Sequence, residues 1–386
     1  MPDAIPDIAA WLVSAESRRQ PLEAIIGRLA EKLIEAGLPL WRLRCTVLAM
    51  HPDVFGHAVM WSRGEEVKIS VATAQTLASP SYVGSPVQAI HQGLPRVRQR
   101  LEQGQVDYPQ LQEVRAAGGT DYFAVGLDFG PGRRSFISLA TDQKGGFDDA
   151  HLVQFERLLA PLETRLELES SRFSTETLLK VYLGPNAAER VLAGDFKRGT
   201  GQRIHAAIWL CDLRGFTSLA DRLPVTEVVP VLDAYFEAMS RPLSDGGEIL
   251  KFIGDSILAV FPTGTDEAAA ARRAVKAARA SLDAFNASAV AKQHGLQAGV
   301  AVNLGEVMYG NIGAVDRLDF TVIGGAVNET ARMESMCKPL KTQLVLSETV
   351  ARYLDPHELC PLGSHVLRGV SSEKPLFTLG AYAPKA

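Results

Sequence analysis

The sequence predicts a protein of the α+β class with two domains, and three observations lead to this expectation. The chain has 386 residues, which is too long for one ordinary core. Its composition, 46% hydrophobic and 22% charged, is that of a globular protein with sizeable cores. Strand-like and helical patterns follow one another in different orders on the two sides of about residue 203.

The N-terminal part is predicted to be a mixed α/β domain over residues 1–148. A helix is expected at residues 21–36, where leucine and isoleucine recur at helical spacing and Gly37 and Pro39 end the pattern. A further helical pattern lies near residues 87–101. Strand-like runs lie at residues 43–50, 58–61, 67–70, 122–128 and 135–140.

The segment 149–202 is predicted to be a helical stalk followed by a linker. Its apolar residues recur at spacings of three and four, which is the seam of a two-stranded parallel coiled coil. These residues are Leu152, Phe155, Leu159, Leu162, Leu166 and Phe173. The alternative is a helix packed on its own sheet, which Pro161 favours because proline kinks or ends helices. Gly184 and Pro185 then form either a joint that transmits a signal or an inert linker.

The third segment, residues 203–386, is predicted to fold on the ferredoxin-like plan. Its elements are a strand at 204–210, a helix at about 226–240, strands at 248–252 and 256–261, a helix at 267–285, a strand at 297–303, a Gly-rich hairpin region at 305–323 and a helix at 326–335. The order βαββαβ is the ferredoxin-like order. The helix at 267–285 is rich in alanine, which permits close approach to a sheet.

Two aspartates in this segment are predicted to lie at strand edges. Asp212 follows the apolar run at 204–210, and Asp255 occupies the tip of a tight hairpin between two apolar runs. A fold that pairs these strands would hold the two carboxylates close together. Hard cations take oxygen ligands, so such a pair would suit two Mg²⁺ (or Mn²⁺) ions and a polyphosphate.

Composition makes several other classes of protein less favoured. The four cysteines lie far apart without paired spacing, which indicates neither a zinc site nor a disulfide framework. A formal charge of −4 gives no general attraction for nucleic acid. No apolar stretch approaches the ~20 residues of a membrane span, and the first residues lack a signal pattern. A cytoplasmic protein without a membrane span is therefore expected.

Three segments, in the same order as in the family, resemble the class III nucleotidyl cyclases. They are residues 207–217, which contain Asp212, residues 246–255, which contain Asp255, and residues 317–334, which contain Ile323-Gly324-Gly325 and Asn328. The resemblance covers about residues 200–384. It implies an enzyme that makes a cyclic nucleotide from a nucleoside triphosphate, with Asp212 and Asp255 as the metal ligands.

The resemblance also implies roles for a helix and a turn. Asn328 and Arg332 stand four apart on the predicted helix and leave one face; by resemblance, Asn328 orients the ribose and Arg332 contacts the α-phosphate. Unpaired backbone amides at a helix start form an anion cradle. The amides proposed to hold the β- and γ-phosphates are those of Leu213, Arg214, Gly215 and Phe216. Arg368 is a candidate for a further phosphate contact, and Lys374 is a weaker one.

Lys251 and Thr321 are predicted to select the base. A lysine donor and a threonine oxygen complement the N1 acceptor and N6 amino donor of adenine, which favours ATP. In family terms this pair looks like the bacterial adenylyl branch. The alternatives are a guanylate cyclase and a catalytically silent ligand-binding signalling protein. A diguanylate cyclase is not favoured, because residues 246–250 lack the acidic and aromatic pattern of its signature loop.

In this family the two sets of site residues face each other across a head-to-tail dimer. The resemblance therefore implies a homodimer with active sites at the interface. Residues 136–150 look like the last strand and helix of GAF-type domains, which implies regulation by an unknown ligand or partner. Candidate pocket residues in that domain are Trp41, His51, His57, Trp61, Tyr122 and Phe123, although aromatic strand residues mostly belong to cores.

Overall fold

The computed structural model describes residues 4–48, 50–52, 54–130, 133–370 and 372–384. The chain forms two compact units, Met1–Val181 and Tyr182–Ala386. Residue 49, within the predicted strand at 43–50, lies outside the described residues. Among the described residues, none of the helices is both long and apolar enough to span a membrane.

The N-terminal unit contains a six-stranded antiparallel sheet in the order β3-β2-β1-β6-β5-β4 and eight helices within the described residues. The elements are α1 (Ile5–Leu12), α2 (Ala15–Arg19), α3 (Leu22–Glu35), β1 (Arg42–Leu48), β2 (Val54–Ser62), β3 (Lys68–Thr73), α4 (Ala74–Leu77), α5 (Pro86–His91), β4 (Arg96–Arg100), α6 (Leu111–Ala116), β5 (Asp121–Asp128), β6 (Arg134–Thr141), α7 (Asp149–Glu156) and α8 (Leu159–Leu183). The helix expected at 21–36 is confirmed as α3.

The sheet of this unit has two differently covered faces. Alternate strand residues such as Leu43, Phe123 and Ile137 belong to a large core that also contains side chains of α1, α3, α7 and α8. Their neighbours on the other face, including Tyr122 and Phe136, belong to a smaller cluster with α5 and α6. A strand sends successive side chains to opposite faces, so the pattern of every second residue decides which cluster it joins.

The helical pattern expected near residues 87–101 is correct only in its first part. The helix α5 ends at His91, and residues 96–100 form the edge strand β4. Val97 and Gln99 are buried while Arg96 and Arg100 are exposed, a period of two that fits a strand. Backbone pairing with β5 fixes this segment, and a helical spacing of apolar residues does not reveal such pairing.

The coiled-coil seam is wrong for most of its residues. Leu152, Phe155, Leu162 and Leu166 are buried in the large core of their own domain. Two helices, α7 and α8, replace one continuous stalk, and Pro161 lies in the first turn of α8, where a missing amide donor does no harm. The alternative of a helix packed on its own sheet therefore accounts for the pattern.

The C-terminal unit contains an eight-stranded sheet. Its elements are α9 (Pro185–Leu192), β7 (Gly201–Arg214), α10 (Phe216–Ala220), α11 (Val225–Ser240), β8 (Glu248–Ile253), β9 (Ser256–Pro262), α12 (Glu267–Ala287), α13 (Ala289–His294), β10 (Gln297–Gly313), β11 (Leu318–Ile323), α14 (Gly325–Met336), β12 (Leu344–Ser347), α15 (Glu348–Ala351), β13 (Leu359–Val366) and β14 (Glu373–Leu379). Short 3₁₀ turns lie at Arg241–Ser244 and Gly380–Tyr382.

The centre of this sheet has the predicted ferredoxin-like arrangement. The four strands of the βαββαβ unit lie in the order β10-β7-β9-β8, and each neighbouring pair is antiparallel. β12 adds to β10 in parallel, β14 and β13 extend that edge, and β11 pairs with the second half of β10. These additions position the hairpins on which several candidate residues lie.

Helices cover both faces of this sheet. α11 and α12 pack on one face around Trp209 and Tyr235, where the buried alanines of α12 allow close approach, as expected. α14 packs on the other face through Met333 and Cys337. α9 contributes Ala187 to a third cluster, with Ile208 of β7, although it was predicted to be part of a linker.

Candidate active site

Asp255 lies where the sequence placed it, at the tip of the β8–β9 hairpin. Ile253 pairs with Ser256, so Gly254 and Asp255 form a two-residue turn. Gly254 has φ of 63°, a left-handed conformation that glycine adopts without steric penalty. The turn therefore fixes the position of the Asp255 backbone.

Asp212 lies inside a strand, not after one. β7 continues to Arg214, and Asp212 is paired in register with Gly299 of β10. The hydroxyl of Ser256 donates a 2.8 Å hydrogen bond to Oδ1 of Asp212. The hairpin that carries Asp255 therefore also contacts Asp212.

Both aspartates line one cavity of about 1080 Å³. The pKa of Asp255 is raised, first by burial and then by the negative charge of Asp212. The hydrogen bond from Ser256 to Asp212 keeps the two carboxylates in the same part of the cavity, where there is repulsion between their negative charges. A bound cation would relieve it, so the donor set fits Mg²⁺ or Mn²⁺.

A third carboxylate, Glu334 of α14, lines the same cavity and was not predicted from the sequence. Burial and the charges of Asp212 and Asp255 raise its pKa to about 7, whereas Arg214 acts in the opposite direction. A Cβ on Gly299 would lie 2.7 Å from Oε1 of Glu334. Glu334 thus lies directly over the strand residue that pairs with Asp212. Its signal in the sequence is only its position, two residues after Arg332.

Those three acids do not form a closed metal cage. Within the described ranges, no group of three or more His, Cys, Asp or Glu side chains is arranged to hold a metal ion. Open coordination positions are what a substrate phosphate and water occupy in sites for Mg²⁺. A cation would therefore be held mainly by Asp212, Asp255 and the substrate.

The four residues of the expected anion cradle, Leu213 to Phe216, all line the acidic cavity. Leu213 and Arg214 belong to β7, and the Leu213 side chain is buried in the core. Gly215, with φ of 84°, ends the strand and precedes α10, and Phe216 and Thr217 follow it along the cavity wall. Anion binding by the backbone amides of this segment stays a prediction.

Two lysines of the same cavity were also missed. Lys338 and Lys341 follow α14 and are exposed at its wall. Lys341 has φ of 49°, a left-handed conformation that is uncommon for residues other than glycine. Arg214 adds a third cation and donates a hydrogen bond to the carbonyl of Thr342. The lining of the cavity thus includes three acids and three cations.

Asn328 and Arg332 are exposed on α14 and do not line this cavity. They are four residues apart and share a helix face, as predicted. At about 100° per residue, Arg332 and Glu334 lie roughly 200° apart around the helix. One face of α14 therefore serves the acidic cavity and the other carries Asn328 and Arg332.

Lys251 lies on the edge strand β8 and Thr321 on β11, which pairs with β10, and neither residue lines the acidic cavity. Lys251 of β8 forms a 3.0 Å ion pair with Asp319 of β11, a contact that the sequence did not indicate. Asp319 and Thr321 leave the same face of β11, because they are two residues apart. Thr321 is 5% exposed, and its hydroxyl is buried without a hydrogen-bond partner among the described residues.

The late basic residues are not brought to the cavity. Arg368 is exposed and is not among the residues that line it. Lys374 forms a 3.3 Å ion pair with Glu329 of α14. The role of either residue in phosphate binding stays a prediction.

Sequence comparison finds a known domain over this region. Residues 202–378 match the family described as adenylate and guanylate cyclase catalytic domain. An adenylate cyclase of Anabaena cylindrica is 32% identical over 169 residues, which are 42% of this chain and 32% of that protein. A terminal-differentiation specific adenylate cyclase of Dictyostelium discoideum is 33% identical over 170 residues, 43% of this chain and 8% of that protein. The chain thus matches a third or less of the length of these curated relatives.

Structural comparison extends over more of the chain. A solved structure of a bacterial light-regulated adenylyl cyclase covers 66% of this chain and 84% of its own, with a TM-score of 0.50 and 19% identity. At that identity the likeness concerns the fold alone.

Proposed function

We propose that this chain converts ATP into 3′,5′-cyclic AMP and pyrophosphate. The reason is that residues 202–378 match the adenylate and guanylate cyclase catalytic domain. The observation that carries the proposal is the cavity in which Asp212, Asp255 and Glu334 meet Lys338 and Lys341. Carboxylates for cations and lysines for phosphates are the groups that phosphoryl transfer requires.

In the proposed reaction, the ribose 3′-oxygen attacks the α-phosphorus. The bond between that phosphorus and the oxygen that bridges to the β-phosphate breaks, and pyrophosphate leaves. The proton of the 3′-hydroxyl goes to Asp212 or to water. Two Mg²⁺ (or Mn²⁺) ions held by Asp212 and Asp255 would lower the pKa of the 3′-hydroxyl and neutralise the triphosphate.

The phosphates are proposed to bind the cations and backbone amides that line the cavity. Backbone amides around Gly215 and Phe216 can donate to the β- and γ-phosphates, since these residues line the cavity where β7 ends. Lys338 and Lys341 add positive charge on the same wall. Their charge also favours the departure of pyrophosphate.

The remaining catalytic groups are proposed to come from a second copy of the chain. Asn328 would orient the ribose, and Arg332 would balance the charge on the α-phosphate as the 3′-oxygen attacks. Both are exposed and outside the acidic cavity of their own chain. A homodimer with C2 symmetry would bring each pair to the partner's aspartates and form two equivalent sites.

Exposed apolar side chains on the same unit support such an interface. Phe252 and Ile253 of β8 and Ile323, just before α14, are each 52% exposed. They flank Lys251 and Thr321 in the sequence. Burial of apolar side chains of this size against a partner would stabilise a dimer.

Preference for ATP is proposed from Lys251 and Thr321. The Lys251 ammonium can donate to N1 of adenine, and the unpartnered Thr321 hydroxyl can accept from its N6 amino group. Asp319 would hold the ammonium in place through its ion pair. We also propose that the N-terminal unit is similar to GAF-type domains and that it regulates the reaction.

Product analysis tests this function. Purified full chain is incubated with ATP or GTP and Mn²⁺ or Mg²⁺, and the products are separated by chromatography and identified by mass spectrometry. We expect cyclic AMP and pyrophosphate from ATP. Preferential formation of cyclic GMP would establish a guanylate cyclase, and the absence of both cyclic nucleotides would support a silent ligand-binding protein.

A further inference from the structure

The N-terminal unit contains a second cavity, of about 580 Å³, within its own fold. Its floor is the sheet face that carries the smaller apolar cluster. Its cover consists of residues 80–87 and of residues 109–114, which include α6. Ligand pockets of drug-sized molecules have volumes of about 300–1,000 Å³, so the space suits a small organic molecule.

Two arginines lie on the floor of this cavity. Arg42 and Arg44 alternate with Leu43 and Cys45 on β1, and the latter two are buried in the large core on the opposite face. β1 is an interior strand of the sheet, with β2 and β6 as its neighbours. Arg42 is half-buried and Arg44 is exposed, and both side chains line the cavity.

Both arginines lie near aromatic rings: the guanidinium of Arg42 is 4.0 Å from the centroid of the Trp41 ring, and that of Arg44 is 5.9 Å from the centroid of the Phe136 ring. Among the described residues neither forms an ion pair, and Nε of Arg42 is buried without a hydrogen-bond partner. The carboxylate of the cavity belongs to Glu113 on α6, which is exposed. Two cations and one carboxylate leave the lining with a charge of +1. A guanidinium without an ion-pair partner gains free energy from an anion, most of all the half-buried Arg42, and its planar donors match a carboxylate.

The rest of the lining is largely apolar, and hydrogen bonds join its two covering segments. Met60, Val87, Leu111 and Val114 provide apolar surface. Nε2 of Gln110 donates to the carbonyls of Pro80 and Val83, at 2.7 and 3.0 Å, and so joins the two covering segments. Its Oε1 atom is buried without a partner and can accept one hydrogen bond from a ligand.

We propose that this cavity binds a small organic monoanion with an apolar body. The acid group lies against Arg42 and Arg44, and the apolar part lies under α6 and the segment 80–87. This site differs from the lining expected from the sequence. The sequence suggested six pocket residues, which are Trp41, His51, His57, Trp61, Tyr122 and Phe123. Of these six only Tyr122 lines the cavity, while Trp61 and Phe123 lie in the core on the other face.

A fluorescent probe tests the proposal on the full chain. 1-Anilinonaphthalene-8-sulfonate is an organic monoanion with an aromatic body, and N-phenyl-1-naphthylamine is its neutral counterpart. The affinity of each is measured by fluorescence titration. We expect Arg42→Gln and Arg44→Gln each to weaken binding of the anionic probe about tenfold and to leave the neutral probe within about twofold.

Two further variants complete the experiment. Arg19→Gln removes an exposed arginine of α2 outside the cavity and should change neither affinity. Glu113→Gln removes the carboxylate from the exposed rim and should strengthen binding of the anion about twofold or more. Equal affinity of the anionic probe for wild type and for both arginine variants overturns the proposal. Weaker binding of the anionic probe by Glu113→Gln than by wild type also overturns the proposal. This outcome can be measured even if the arginine variants fail to fold. None of these measurements depends on cyclase activity.

Discussion

The two faces of α14 differ in burial and in chemistry. Glu334 lies in a cavity with Asp212 and Asp255, whereas Asn328 and Arg332 are exposed on the opposite side of the helix. Acids that repel one another are gathered inside one chain, and the groups that would meet the substrate's phosphate and ribose point outward. Under the proposed function, each chain therefore carries two unlike half-sites, which a second copy of the chain would complete.

The largest expected effect comes from breaking each half-site separately. Asp255→Ala and Arg332→Ala should each lower kcat about 10³-fold, because one removes a metal ligand and the other a transition-state cation. Equal mixing of the two variants should restore about a quarter of the wild-type rate, since half of the dimers are mixed and each has one intact site. Initial rates of cyclic AMP formation measure this.

The matched control uses two variants from the same half. Asp255→Ala mixed with Asp212→Ala should stay inactive, because no dimer of these chains has a complete acidic cavity. Recovery in this control, or none in the first mixture, would contradict sites built from two chains.

A double substitution tests the two residues that are proposed to select the base. Lys251→Glu with Thr321→Cys should shift the ratio of kcat/KM for ATP and GTP towards GTP by about 100-fold, because the donor and acceptor positions are exchanged. Competition assays with both nucleotides report the ratio. A wild-type enzyme that already prefers GTP would refute the assignment of these residues.

The acidic half can be disturbed through its backbone. In Gly299→Ala the new Cβ would lie 2.7 Å from Oε1 of Glu334 and 3.1 Å from Nη2 of Arg214, so both side chains must move. We expect kcat to fall about tenfold, since the carboxylates around Asp212 lose their arrangement. Gly325→Ala is the control, because its Cβ meets no atom within 4 Å. Equal rates for the two variants would show that Glu334 has no influence on the site.

Asp319 offers a smaller test of the exposed half. Asp319→Asn removes the ion pair with Lys251, which is held at 3.0 Å. We expect KM for ATP to rise about threefold with little change in kcat, because an exposed ion pair contributes less than about 1 kcal/mol. Steady-state kinetics with ATP measure both constants. A fall in kcat alone would place Asp319 in the chemical step.

A separate effect of the acidic half is on stability, in protein free of divalent ions. The folded-state pKa of Glu334 lies at about 7, above its ordinary value of 4.5. The folded protein therefore keeps a proton that the unfolded chain releases between these values, and the free energy of unfolding falls as pH rises through this window. Glu334→Gln should remove that fall and add about 2 kcal/mol at pH 8.

Urea unfolding at pH 5 and pH 8, with a chelator present, measures this difference. Glu306→Gln is the control, since that carboxylate is exposed on β10. A pH dependence of unfolding that is the same in wild type and in Glu334→Gln would contradict the raised pKa.

Local patterns were enough for much of the fold. The position of Asp255 follows from a two-residue turn between apolar runs, and the common face of Asn328 and Arg332 follows from the helical period. The order of strands and helices predicted the ferredoxin-like centre. Such features depend on residues close in the sequence, so they can be predicted from the spacing of apolar residues and from the residue types at turns.

Where local patterns were ambiguous, the prediction was wrong or incomplete. The seam from Leu152 to Leu166 fits a coiled coil and a core helix equally well, and the choice depends on whether a sheet of the same chain is there to cover it. Residues 96–100 became a strand because β5 offers a free edge. Neither condition is visible in a window of ten or twenty residues.

By itself the sequence determined that two aspartates stand at strand and hairpin positions, and that an asparagine and an arginine share a helix face. The tertiary structure decided what surrounds them, with Glu334 over Gly299 and the lysines at the cavity wall, and it brought Arg42 and Arg44 to the cavity of the N-terminal unit. The reason is that these neighbours are set by strand register and helix packing between distant segments. No spacing along the chain encodes such contacts directly.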